Sequence, residues 1–226
     1  MDWNKVEEWK DEEKLNTLRD VIENDSNYWK KIILLMTMEN NNEQNELMET
    51  IIENRRKEIE LFEKELIMKI LFVCLGNICR SSSAEEVMRT FVKREGLEDL
   101  IEVDSAGILS YHEGELPDSR MRMHAYHRGY ELTHRSRPVC TQDFFEFDMI
   151  VGMDDRNIQD LKDRAPSPET EKKICRMTDF CRTKLVDYVP DPYYGGAQGF
   201  ENVLDILEDA CEGLLDAIKK TGCTEI

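Results

Sequence analysis

The 226-residue chain reads as an α/β protein built on a parallel sheet, preceded by an all-helical extension. Two observations predict this. From residue 68 onward, short apolar runs alternate with amphipathic stretches of helical period, the pattern of strands joined by crossover helices. Upstream, residues 1–67 hold all three tryptophans but no Gly, Pro or Cys, a helix-forming composition. The chain therefore divides into a helical N-terminal extension, 1–67, and a main domain, 68–226.

In the extension, ENDSN (23–27) and ENNNEQN (39–45) interrupt helical patterns in which Leu15, Leu18 and Ile22 share one face. Met48, Ile52, Ile59, Phe62 and Leu66 share another, at spacings near three and four. Two or three helices follow from this, with the last running towards the first strand. Such an arm is a candidate dimerisation or regulatory surface, although most amphipathic stripes pack on their own domain.

In the main domain, KILFVC (69–74) is a short buried strand, and SSSAEEVMRTFVKREG after it is an amphipathic helix. Ser82 and Glu85 have the spacing of a capping box that would fix where that helix begins. IEVDSAG (101–107) is a strand ending at a glycine, and SRMRMHAYHRGYEL (119–132) is helical until Gly129. DMIVGMDDRN (148–157) gives a third strand and a helix start, with Asp154 or Asp155 near its cap. KKICRM (172–177) is a candidate fourth strand, and FENVLDILEDACEGLLDAIKK (200–220) a long amphipathic helix. Ligands of such sheets bind at the carboxyl ends of the strands. Cys74 lies at one of those ends.

Thirty basic against 48 acidic residues give a formal charge of −18, which argues against nucleic acid or an anionic membrane as partner. No apolar run reaches the roughly 18 residues of a transmembrane span. The opening MDWNKVEEWKDEEK lacks the basic and apolar regions of a secretory signal, so a cytoplasmic location is expected. Seven cysteines, at 74, 79, 140, 175, 181, 211 and 223, point to reduced thiols rather than a disulfide framework. Neither their spacing nor the four histidines at 112, 124, 127 and 134 make a zinc pattern, so no metal is expected.

In Cys74-Leu75-Gly76-Asn77-Ile78-Cys79-Arg80, a tight strand-to-helix turn carries a thiol at its start and a guanidinium at its end. Curled so that successive N–H groups point inward, this backbone makes a nest for a tetrahedral dianion, reinforced by the following helix N-terminus. The same helix end and Arg80 favour the thiolate form of Cys74. Arg80 offers a planar fork for two phosphate oxygens. Thiolate attack on a phosphomonoester needs an acid for the leaving oxygen. VPDPYYGG (189–196) supplies a candidate: Asp191 on a proline-stiffened loop, flanked by Tyr193 and Tyr194.

CLGNICRS, DSAG, PDSR…GYELTHRSR, FDMIVGMDDRN and DPYYGG resemble, in order and spacing, the low-molecular-weight protein tyrosine phosphatases, over residues 68–220. The resemblance implies a four-stranded parallel sheet flanked by helices, the phosphotyrosine phosphatase I-like fold, with neither metal nor organic cofactor. It implies Cys74 as the nucleophile of a phosphocysteine intermediate and Arg80 as the phosphate ligand. Asp191 is then first acid, later base. Leu75, Gly76, Asn77, Ile78, Cys79 and Ser81 form the substrate cradle, with Tyr111, Tyr193 and Tyr194 as aromatic walls. Ser105 and His134 match positions that hold Asn77, and Cys79 matches a thiol that can pair reversibly with the nucleophile on oxidation. The implied partner is a phosphotyrosine protein, and isoleucine at 78, where a related arginine-phosphatase branch has threonine, favours that substrate. The family usually carries proline where Ser82 stands. A related arsenate reductase would need a relay cysteine where Met153 stands, and a catalytically dead phosphoprotein-binding module is the reading from another class.

Overall fold

The computed structural model describes residues 67–221 and Lys57; the rest of the expected N-terminal extension, and Cys223, lie outside the described residues. Four strands, β1 (Met68–Cys74), β2 (Ile101–Gly107), β3 (Met149–Gly152) and β4 (Ile174–Arg176), pair in the order β2-β1-β3-β4. Every pairing is parallel, with Cys74 opposite Gly107 and Val73 opposite Gly152. Between them run helices α1 (Arg80–Glu95), α2 (Ser119–His127), α3 (Asp143–Glu146), α4 (Asp155–Arg164) and α5 (Pro168–Glu171), and α6 (Gly196–Thr221) follows β4.

Successive strand residues point to opposite faces. Ile70 through Val73 are all fully buried, so both faces of the central strand are covered. Leu71 and Val73 pack with Ala106, Val139, Phe144, Ile150 and Leu161 on one of them. This is why β1 reads as an unbroken apolar run and not as an alternation. Each large side chain buried there contributes roughly 1.5–3 kcal/mol. On α6, Val203, Leu204, Leu207, Ala210, Cys211, Leu214, Leu215 and Ile218 are buried at three- and four-residue steps. Gly213 lets this helix approach the chain at Phe180, where an added Cβ would lie 1.9 Å from the Phe180 carbonyl oxygen.

Most expected elements appear where the patterns place them. The short helices α3 and α5 were not legible, because four residues carry too little periodicity to separate from loop. The expected capping box of α1 does not form. The N-cap is Cys79, without a side-chain cap, and the Ser82 hydroxyl donates to the Cys79 carbonyl instead. Glu85 turns inward to the Ser105 hydroxyl, 2.6 Å away. Burial in a polar network outbids a cap that water could satisfy. The far end of α1 is closed by Gly96 at φ +66°, whose amide reaches the Lys93 carbonyl, the left-handed stop that favours glycine.

Candidate active site

Cys74 ends β1, and Leu75 to Cys79 form the turn into α1. Four carbonyls from Cys74 to Ile78 are tied to neighbouring chain. Cys74 accepts from the Ile108 amide (2.9 Å), Leu75 from Leu109 (2.9 Å), Gly76 from the Ser136 hydroxyl (3.1 Å) and Ile78 from the Asp118 amide (2.8 Å). The amides of Gly76, Ile78 and Cys79 meet no protein acceptor among the described residues. Carbonyls out and amides in is the arrangement that binds an anion. Gly107 allows the packing: its Cβ position lies 3.1 Å from the Gly76 carbonyl carbon.

Asn77 holds the turn's shape. It sits at φ +57°, a left-handed conformation that asparagine tolerates better than other side chains do. Its amide nitrogen donates to the hydroxyls of Ser81 (2.9 Å) and Ser105 (2.8 Å). Its carbonyl oxygen accepts from the Arg137 amide (3.0 Å) and lies 3.1 Å from His134 Nε2. All four of its hydrogen-bonding positions are thus used. Ser105 donates onward to Glu85, which also meets His134 Nδ1 (3.1 Å) and Arg89. Burial opposes the charge of Glu85. The hydrogen bond and charge of His134, the Ser105 hydroxyl and the Arg89 guanidinium outweigh it, and hold the carboxyl below its ordinary range. The ligand atoms of Glu85, Asp104 and His134 lie within 4.8 Å of one another, but Arg89 and Arg137 already neutralise the two carboxylates. This cluster is spent on holding Asn77.

The Cys74 sulfur receives the Asn77 backbone amide (3.3 Å) and lies 3.1 Å from the Ser81 hydroxyl. Ser81 already accepts from Asn77, which leaves its one proton for the sulfur or the Ala106 carbonyl. Cys79, beside it, is 5 % exposed, and burial together with the Cys74 charge pushes its thiol well up from its usual range.

Arg80 is 3 % exposed, and three groups aim it. One terminal nitrogen donates to Asp154 (2.5 Å) and to the Val189 carbonyl (3.2 Å), and the other to Asp191 (3.1 Å). Asp154 was expected only as a helix cap. It does cap α4, through the Asn157 amide, and its second oxygen holds Arg80. The usable signal was position: Asp154 closely follows β3, next to β1, so its loop leaves the same sheet edge as Cys74.

Cys74, Leu75, Gly76, Ile78, Cys79, Arg80, His112, Asp191 and Tyr193 line a pocket of about 260 Å³. That is below the roughly 300–1,000 Å³ of pockets engulfing drug-sized ligands, and suits one small group. Tyr193 is among the residues at the wall, and the side chain of Tyr194 lies outside the described residues. Tyr111 does not line this pocket; it is 88 % exposed. The adjacent His112 takes the wall, its ring 3.2 Å from the Cβ position of Gly76, with Nδ1 2.7 Å from Glu115. In an irregular loop no periodicity says which of two neighbours faces inward. The remaining described cysteines differ: Cys211 is buried, Cys175 and Cys181 half-buried, and Cys140 exposed.

Fold and turn together define a parallel α/β protein whose first strand ends at a thiol set in a turn of unpaired amides. The family model of the low molecular weight phosphotyrosine protein phosphatases matches residues 69–223, and the chain belongs to that family. It is similar to a protein tyrosine phosphatase from Entamoeba histolytica crystallised with Hepes in the active site. The two share 51% identity over 68% of this chain and 97% of that one, at a TM-score of 0.66. A Synechocystis protein is 45% identical over 68% of this chain and 98% of its own length. YfkJ of Bacillus subtilis, a low molecular weight protein-tyrosine-phosphatase, is 39% identical over 68% of this chain, and its crystal structure superposes at a TM-score of 0.64. The chain is thus an enzyme of the protein-tyrosine-phosphatase class. Among the described residues no helix is long and apolar enough to cross a membrane.

Proposed function

We propose that this enzyme hydrolyses phosphotyrosine on proteins through a phosphocysteine intermediate. The carrying observation is the turn with carbonyls tied to neighbouring chain, the amides of Gly76, Ile78 and Cys79 without a protein acceptor among the described residues, and the Cys74 sulfur held by Asn77 and Ser81. A phosphate in this nest meets backbone N–H groups on one side and the Arg80 fork on another. The Cys74 sulfur attacks phosphorus as the bond to the phenolic oxygen breaks. Asp191, on the pocket wall, gives that oxygen its proton. The resulting carboxylate then takes a proton from the water that attacks the phosphocysteine. Cys74 leaves as a thiolate, stabilised by the Asn77 amide and the Ser81 hydroxyl. Arg80 and the amides match the spreading charge of both transition states.

Ile78 and Tyr193 give the pocket apolar walls, which suit an aryl ester. The N-terminal extension is proposed as a regulatory or self-association arm. Comparing turnover of the full chain with a chain beginning at Met68 tests the regulatory role.

The deciding experiment is p-nitrophenyl phosphate hydrolysis in EDTA by wild type, Cys74→Ser and Asp191→Ala. Activity should survive EDTA, vanish in Cys74→Ser and fall roughly a hundred-fold or more in Asp191→Ala, the scale of a lost general acid. Turnover by Cys74→Ser would overturn the mechanism. Phosphotyrosine binding without wild-type turnover would make the protein a binding module instead.

A further inference from the structure

The acid assigned above immediately precedes a short 3-10 turn, Pro192–Tyr194, and is half exposed. Asp191 N-caps that turn by accepting the Tyr193 amide (3.1 Å). The Tyr193 carbonyl, on the turn's other side, accepts from an Arg120 terminal nitrogen (3.2 Å). The same guanidinium lies over the Tyr193 ring and over the Phe200 ring, 5.0 Å from each centroid. Its other nitrogens grip Asp118: Nε at 3.0 Å and the second terminal nitrogen at 2.7 Å. Asp118 caps α2, and its own amide is bonded to the Ile78 carbonyl of the phosphate cradle.

One guanidinium therefore links the cradle to the turn bearing the acid. The path runs from Ile78 through Asp118 and Arg120 to Tyr193 and Asp191. Every link is a hydrogen bond, and the planar fork fixes direction as well as distance, which a lysine could not do. The hydrogen bond from Arg120 is the main influence holding the Asp118 carboxyl below its ordinary range. Three of the five N–H groups of Arg120 are committed to Asp118 and Tyr193, and Arg120 itself is not among the residues lining the pocket.

We propose that Arg120 is a positioning residue for the general acid: it sets where Asp191 and the Tyr193 wall stand relative to the phosphate cradle. The proposal rests on Asp191 being the acid. Together with the direct contact from Arg80 at 3.1 Å, it explains how a half-exposed carboxylate capping a three-residue turn keeps a defined place, since misplacement by about 1 Å can cost on the order of a hundred-fold in rate.

A lost or displaced acid matters in proportion to how badly the leaving group needs a proton. The test measures kcat/KM, which reports thiol phosphorylation, for phenyl phosphate (poor leaving group) and 2,4-dinitrophenyl phosphate (good leaving group). Wild type, Asp191→Asn, Arg120→Ala and Arg120→Met are compared. Arg120→Met keeps an apolar stem over the two rings while removing the donors and the charge, so it is the variant to rely on if Arg120→Ala fails to fold. Both Arg120 variants should lose roughly tenfold or more on phenyl phosphate and less than about threefold on the dinitrophenyl ester, a smaller copy of the Asp191→Asn pattern. Combined with Asp191→Asn, an Arg120 variant should cost little more on phenyl phosphate. If Asp191→Asn is selective while the Arg120 variants lose equally on both esters, or the losses multiply in the double variant, the positioning role is refuted and the acid stands. If Asp191→Asn itself shows no selectivity, Asp191 is not the acid and both readings fall.

Discussion

Replacing Asn77 with alanine tests whether the network beneath the cradle maintains its shape. Four hydrogen bonds disappear, to Ser81, Ser105, His134 and the Arg137 amide. The first three partners keep other contacts, at Cys74, Glu85 and Glu85 respectively, so each loss costs about 1 kcal/mol. The Arg137 amide keeps none and costs about 1–3 kcal/mol. Alanine at φ +57° adds about 1–2 kcal/mol of strain. A water entering the vacated space recovers part, leaving a net loss of about 3–5 kcal/mol. Asn77→Gly should fall within about 1 kcal/mol of it, because relief of the left-handed strain is offset by a looser unfolded chain. Urea unfolding followed by near-ultraviolet circular dichroism gives the stabilities, and kcat/KM should drop at least roughly a hundred-fold as the amides lose alignment. A stability loss below about 1 kcal/mol with activity intact would refute the reasoning.

Two further outcomes follow from the same geometry. The Glu85 carboxyl titrates lower folded than unfolded, so its contribution is complete above the unfolded value of about 4.3 and is lost as pH falls towards the folded one. Urea midpoints should decline below about pH 4.5, and Glu85→Gln should lower stability at pH 7 while flattening that acid limb; parallel curves would exclude Glu85 as its source. At Asp154, asparagine retains a side-chain oxygen for the Asn157 amide but loses the charge facing Arg80, whereas alanine loses both. Asp154→Asn should impair kcat/KM with stability nearly unchanged, and Asp154→Ala should add about 1 kcal/mol of destabilisation, the worth of a cap. Equal stability loss in both variants would show that the ion pair, not the cap, carries it.

The order of strands and helices was legible because it rests on local periodicity. Burial on both faces of β1 writes an unbroken apolar run into Lys69–Cys74, and the amphipathic period of α6 marks a helix whatever it packs against. The cradle was legible for a similar reason: thiol, glycine, asparagine and arginine fall within seven consecutive residues. Asp191 needed its proline and tyrosines to stand out from other aspartates.

What the sequence alone determined, then, is a parallel α/β domain with a thiol-and-guanidinium turn at the end of its first strand, since propensity, patterning and turn chemistry act between near neighbours. Only the tertiary structure decided which distant groups serve that turn. Glu85 reads as half of a helix cap until β2 brings Ser105 within 2.6 Å of it. Asp154 reads as a cap until the pairing of β1 with β3 sets it against Arg80. His112 in place of Tyr111 at the wall, and Arg120 beneath the acid turn, depend on how irregular loops pack over Gly76 and Tyr193. Such choices are made by hydrogen bonds between groups tens of residues apart. They leave no period in the chain, because each is satisfied only once the sheet has assembled.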